Sequence, residues 1–327
     1  MPELLTMQEA LNAALRDCLA SDERTLVFGE DVGRNGGVFR VTVGLQDAFG
    51  DRRVFDTPLA EAGIVGMAVG LCMRGWRPIP EIQFDGFVFP AFNQLAAHVS
   101  KLRTRAGGTV SLPLTVRIPS YGAIRSPEHH SESVETFFAH LPSIKVVSPA
   151  SASEAYTLLR QSIEDPDPVI FLEPKSRYWS REEVETGLTE VAPADYRSRV
   201  VRPGEDVTLI AWGSCVPRCL RAAEFAAEDG VSVEVLDLRW LKPIDLEGLV
   251  ASVSHTRRAV VVQEAPVTLG LGSEVAALLQ EHLFGTLQGP VVRVAGADIP
   301  YPVAAVEDDY LPGPDRILLG IQQAFDV

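Results

Sequence analysis

Short apolar runs bounded by turn residues alternate along this chain with longer segments whose apolar positions recur at helical spacing. "TLVFGEDVG" (25–33) reads as a buried strand running into a loop, and "RPIPEIQF" (77–84) as another. "LPLTVRIPS" (112–120), "IKVVSP" (144–149) and "DPVIFLEP" (167–174) continue the series, with "SEAYTLLRQSIED" (153–165) as a helix before the last. At the start, Thr6 and Glu9 have capping-box spacing, followed by apolar Ala10, Leu11, Ala14 and Leu15, which predicts a capped helix. Strands rich in Val, Ile and Leu alternating with helices imply a parallel sheet covered on both faces.

The pattern breaks over "SREEVETGLTEVAPADYRSRVVRPGED" (180–206), which is charged and punctuated by Pro and Gly. It then restarts with "VTLIAWGS", "CVPRCLRAAEFAAEDG", "VSVEVLDLRWLKP" and "RAVVVQEA", and finishes with the helix "GSEVAALLQEHLF" and the strand "GPVVRVAG". The expected organisation is α/β, with two domains, each a largely parallel sheet flanked by helices: residues 1–180, a linker 181–204, and a smaller domain 205–327.

The stretch "FDTPLAEAGIVGMAVGLCMRG" (55–75) departs from ordinary amphipathic patterning. Pro58 suits a first helical position with Thr57 as N-cap, so a capping-box acid would fall at Ala60; Glu61 is one place too late. A first-turn acid can simply complement the helix dipole. Yet Ile64, Val65 and Ala68 share its side, and the segment is apolar all round, as in a buried or subunit-interface helix. Gly63, Gly66 and Gly70 weaken a helix and point to close approach by another backbone. Burial of a carboxyl favours its neutral form, which makes Glu61 a candidate proton donor or acceptor.

Composition narrows the classes. The 327 residues carry a net charge of −15, which argues against nucleic acid as a partner. No apolar run is long enough for a membrane span, and the start lacks a basic, then apolar, signal pattern. The four cysteines have no metal spacing and read as reduced structural thiols of a cytoplasmic protein.

Three further clusters have chemical readings beside plain ones. "SPEHHSESVE" (126–135) sets His129 and His130 in an aperiodic acidic stretch, either a solvated loop or a general acid–base site facing a pocket. Phe84, Phe87, Phe89 and Phe92 read mainly as core, with one or two at a strand end able to wall a cofactor ring. Asp165 and Asp167, beside prolines in a tight turn with free carbonyls, form a solvated turn or an oxygen-ligand cation site. No dinucleotide or phosphate-loop glycine motif follows a strand.

Taken together, "VFGEDVGRNGGVFRVTVGL", "RVFDTPLAEAGIVGMAVG", "RPIPEIQFDGFVFPAFNQL", "HHSES" and "DPVIFLEPK" resemble the β subunit of thiamine-diphosphate-dependent 2-oxo acid dehydrogenases, the decarboxylating component of the pyruvate and branched-chain complexes. The resemblance covers nearly the whole chain, including a transketolase-type C-terminal domain. It implies an α₂β₂ heterotetramer serving a lipoyl acyltransferase core, with the α subunit holding Mg²⁺ and the diphosphate. The absence of a G-D-G motif followed by a suitably placed asparagine agrees with that division.

By the resemblance, Glu61 hydrogen-bonds N1′ of the aminopyrimidine, and Leu59, Gln83 and Phe87 line the pyrimidine pocket. His130 is implied to transfer protons during decarboxylation and acyl transfer to the lipoyl arm. His129 replaces the family's usual tyrosine, and Glu132 its usual glutamine. Leu114, Ser162, Ile163, Asp165 and Asp167 match a potassium site of some relatives. The expected activity is oxidative decarboxylation of branched-chain 2-oxo acids, with pyruvate next. An acetoin-cleaving enzyme and a non-catalytic assembly module are the alternatives.

Overall fold

The computed structural model describes residues 2–326. Contacts divide the chain into two units, Met1–Ser120 with Phe137–Asp195, and Tyr121–Thr136 with Tyr196–Val327. The segment carrying both adjacent histidines therefore groups with the C-terminal unit, although the strands on either side of it in sequence belong to the first.

In the first unit, β1 (Glu3–Thr6) leads into the helix Met7–Ser21. Thr6 Oγ1 accepts the Glu9 N–H, and the Glu9 carboxylate accepts the Thr6 N–H at 2.8 Å, the reciprocal cap that the sequence spacing predicts. The sheet is built from β2 (Thr25–Gly29), β3 (Val54–Asp56), β4 (Arg77–Glu81), β5 (Thr115–Ser120), β6 (Lys145–Val147) and β7 (Val169–Pro174). Their spatial order is β6-β7-β5-β4-β2-β3, and every pairing is parallel. Val27 stands between Ile79 and Val54, so the central strands are buried on both faces, as their near-continuous apolar runs require.

The stretch expected as a linker holds two strands, β8 (Arg181–Val184) and β9 (Arg199–Arg202). β8 pairs antiparallel with β1, and β9 pairs antiparallel with β11 (Val233–Asp237). Both are edge strands with two of their four residues exposed, so their sequence carries charges where a central strand would carry aliphatics.

The C-terminal unit contains β10 (Val207–Ala211), the short β12 (Trp240–Lys242), β13 (Ala259–Pro266) and β14 (Val292–Gly296). Its sheet has the order β14-β13-β10-β11-β9, parallel except at β9. Helices Cys215–Glu228, Leu246–Thr256, Leu271–Leu283 and Pro314–Phe325 cover it. No helix among the described residues is long and apolar enough to cross a membrane. All four cysteines are free and buried, and burial pushes the thiols of Cys18 and Cys72 up to about 12.

Candidate active site

Parallel strands deliver loop residues to the carboxyl end of a sheet, where ligands of such folds collect. Glu30 and Asp31 follow the end of β2, and Asp56 closes β3. Asp56 accepts the Gly33 N–H at 2.7 Å and the Arg34 N–H at 3.2 Å, which ties the loop after β2 to the end of β3.

The helix bearing Glu61 starts later than its sequence predicts. It spans Glu61–Met73 with Ala60 as N-cap and no side-chain cap bond. The Thr57 N–H donates to the Gly29 carbonyl at 3.0 Å, just beyond the paired residues of β2 and β3. Glu61 thus occupies the first helical position, where the unpaired N–H groups favour negative charge. Its side is buried with Ile64, Val65, Ala68 and Cys72, whereas Gly63, Met67, Gly70 and Met73 are exposed. The helix is therefore covered on one side only. Among the described residues, no backbone closes on its glycines either: the nearest group to Gly66 is the Gln94 side chain, and Gly70 faces open space.

Glu61 is 8 % exposed, and its carboxylate has no hydrogen bond or ion pair among the described residues. With no partner among the described residues, this carboxylate is open to one from outside them. Glu30 adds a second acid that the sequence did not single out. Burial first, then the charges of Glu61 and Asp31, raise its pKa, and its Oε1 is buried without a partner. Its signal was positional, an acid directly after a fully buried strand.

The other expected pocket residues differ in exposure. Gln83 Nε2 donates to Asp31 Oδ2 at 3.2 Å, which brings it to the same loop as Glu30. Phe87 is half-buried and meets Phe84 edge-on at 5.6 Å between ring centroids, whereas Leu59 is 80 % exposed. The expectation that most of Phe84, Phe87, Phe89 and Phe92 are core is corrected. All four are half-buried or exposed, because Val88, Ala91 and Leu95 take the inward positions of the successive helical turns.

In the C-terminal unit, His130 is half-buried, and its Nδ1 donates to the Glu128 carbonyl at 2.7 Å. A carbonyl only accepts, so this bond fixes Nδ1 as the protonated nitrogen and orients the ring. The Ser126 hydroxyl donates to the His130 carbonyl at 3.1 Å and lies 3.0 Å from Ser131 Oγ. His129 is exposed, with Nε2 3.9 Å from a Glu128 carboxylate oxygen.

The residues expected around potassium are already engaged. Lys145 Nζ donates to both oxygens of Asp165 at 2.7 Å and lies 3.6 Å from Asp167, which also bonds Arg103. The carbonyls expected there each accept one hydrogen bond: Thr115 Oγ1 donates to Ser162 O at 2.9 Å, Arg77 Nη1 to Ile163 O at 2.7 Å, and the Val169 N–H to Leu114 O at 2.9 Å. An ammonium and guanidinium groups neutralise this turn, so its carboxylates do not fit free metal ligands.

This two-domain α/β fold, each domain a largely parallel sheet flanked by helices, is that of the transketolase class. Residues 3–180 match the transketolase pyrimidine-binding domain, and residues 197–317 match the transketolase C-terminal domain. A split-gene transketolase, solved as an inactive β4 tetramer, superposes with a TM-score of 0.77 at 24 % identity over 98 % of both chains, which shows the shared fold.

Relatives narrow the class. The pyruvate dehydrogenase E1 component subunit beta of Leifsonia xyli is 53 % identical over 96 % of this chain and 93 % of its own length. The 3-methyl-2-oxobutanoate dehydrogenase subunit beta of Mycobacterium tuberculosis is 51 % identical over 96 % and 90 %. The Staphylococcus epidermidis pyruvate dehydrogenase E1 component subunit beta is 47 % identical over 96 % of both. The chain belongs to this family, the β subunits of the decarboxylating components of 2-oxo acid dehydrogenases.

Proposed function

We propose that this chain supplies the aminopyrimidine-binding half of a two-chain, thiamine-diphosphate-dependent 2-oxo acid dehydrogenase. It acts with an α subunit, in an α₂β₂ assembly, on branched-chain 2-oxo acids first and pyruvate second, and passes the acyl group to a lipoyl arm of an acyltransferase core. The observation that carries the reading is Glu61: buried, at the first position of an apolar helix, and without a hydrogen-bonding partner of its own.

The residues present fit the cofactor's aminopyrimidine. Bound thiamine diphosphate supplies an electron sink for the carbon–carbon bond that breaks as CO₂ leaves. Mg²⁺ and the diphosphate belong to the α subunit in this reading. Glu61 would hydrogen-bond the aminopyrimidine N1′ from the first position of its helix. Gln83 and Phe87 supply polar and aromatic walls, and Leu59, exposed in the single chain, is free to meet the ring from the helix entry. His130, rather than His129, moves protons during acyl transfer, because its ring is the oriented one. The branched-chain preference rests on the HHSES form of the histidine loop.

The test is co-expression with the α subunit and measurement of rates on 3-methyl-2-oxobutanoate and pyruvate with a lipoyl domain as acceptor. Glu61→Gln should lower kcat by roughly 100-fold or more while the assembly still forms. Full activity in that variant would remove the proposed role of Glu61.

A further inference from the structure

The segment leading to His130 has a backbone that its residues do not favour. Tyr121, Ala123, Arg125 and His129 have φ of 71°, 66°, 54° and 65°. A Cβ disfavours that left-handed region, and such strain persists only where the surroundings over-determine it.

Two buried carboxylates of the same unit provide that restraint. Glu307, 1 % exposed, accepts the Ala123 N–H through Oε1 and the Arg125 N–H through Oε2, each at 3.0 Å. The Tyr301 hydroxyl donates to the same Oε1 at 2.7 Å. Glu264, 2 % exposed, accepts the Gly122 N–H at 2.8 Å. Its other oxygen takes the Ser214 hydroxyl and lies 3.3 Å from Arg218 Nη2.

Three amides within four residues thus end on two carboxylates. Glu307 has no cation beside it among the described residues, so two backbone N–H groups and a phenol offset the burial of its charge. The fit leaves no slack at Gly122, where a Cβ would lie 1.7 Å from Tyr301 Oη. Beyond the grip, the Tyr121 N–H donates to the Glu132 carbonyl at 3.2 Å, and Ser126 bonds His130 and Ser131, so the held residues and the histidine form one connected loop.

We propose that Glu307, seconded by Glu264, is a positioning residue that holds the His129–His130 segment in its working conformation. It acts through the backbone and touches no substrate. The inference rests on the role proposed above for His130.

The test uses the enzyme assembled with its α subunit and compares Glu307→Gln, His130→Ala and the double variant. Glutamine keeps the size of the side chain but presents one acceptor and an NH₂ group where two N–H groups need acceptors. Glu307→Gln should lower kcat for lipoyl acylation by roughly 10-fold or more with KM little changed, and add less than about 2-fold once His130 is alanine. Hydrogen exchange at Ala123 and Arg125 should quicken in Glu307→Gln.

An equal loss of kcat in both backgrounds would overturn the proposal, since a merely structural carboxylate behaves that way. Unchanged exchange at those amides would overturn the grip whatever the activity. Full activity of His130→Ala would overturn the His130 reading and this inference with it. Should Glu307→Gln fail to fold, Tyr301→Phe removes the phenol's bond to Glu307 and its 3.3 Å contact from the Ala123 N–H, and retains both amide bonds to Glu307. It should lower kcat by roughly 2- to 5-fold with the same dependence on His130, and additivity with His130→Ala would equally overturn the proposal.

Discussion

Replacement of Arg117 by methionine should destabilise the first unit more than most single changes. Arg117 lies on β5 directly opposite Glu81 of β4, and Glu173 of β7 is two residues beyond its other cross-strand partner. Nη1 donates to Glu81 at 2.7 Å, and Nε and Nη2 grip Glu173 at 2.6 and 3.0 Å. The Tyr178 hydroxyl completes the set on Glu173 at 2.6 Å. The Arg117 and Glu173 side chains are fully buried, and that of Glu81 is 5 % exposed. Burial pulls the Arg117 pKa down, but Glu173 and Glu81 more than restore it.

Methionine fills part of the volume and leaves two carboxylates buried without a cation. Removing one partner of a buried ion pair costs about 3–5 kcal/mol, which for a unit of this size lowers the unfolding midpoint by roughly 10 °C. The pH dependence has a definite sign. Burial, opposed by Arg117, already raises the Glu81 pKa, so its contribution to stability is greatest at low pH and is lost as pH rises through that raised value. Without Arg117 the value rises further, so the gap between wild type and variant should widen as pH climbs above the ordinary carboxylate range. Scanning calorimetry of the assembled enzyme at several pH values measures both effects. A midpoint within about 2 °C of wild type at neutral pH, or a gap independent of pH, would refute the reasoning.

Glu30→Gln should behave in the opposite sense. Wild-type Glu30, its pKa raised by burial and by Glu61 and Asp31, contributes most below the ordinary carboxylate range and loses that contribution as pH rises through its raised value. Glutamine should therefore gain thermal stability over wild type as pH climbs above about 4.5, and a flat or reversed difference would contradict this. The thiols of Cys18 and Cys72, pushed up to about 12 by burial, have only about one part in ten thousand as thiolate at pH 8. Native enzyme should resist iodoacetamide at both positions and react after denaturation; rapid native labelling, read by peptide mass, would contradict the burial.

Much of the architecture was legible because it rests on local rules. The Thr6–Glu9 cap needs only a three-residue spacing, and the central strands announce themselves by unbroken aliphatic runs. Strands β8 and β9 were not legible, since an exposed edge strand needs a partner more than it needs apolar residues. The aromatic cluster misled for a related reason. Phe residues are apolar wherever they lie, and helical phase alone assigned the inward positions to Val88, Ala91 and Leu95.

By itself, the sequence determined the alternation of strands and helices, the two-part organisation and the oddity of one charge at the head of an apolar helix. Those follow from side-chain chemistry repeated at fixed periods along the chain. Tertiary structure alone decided that the helix starts at Glu61 with Ala60 as N-cap, leaving Thr57 four residues short of it with its N–H on the Gly29 carbonyl. It also decided that Lys145 and Arg103 neutralise Asp165 and Asp167, and that Glu264 and Glu307 take the amides of a loop more than a hundred positions away. A buried carboxylate binds whichever donors the fold brings within 3 Å, and the chain's order does not say which those are.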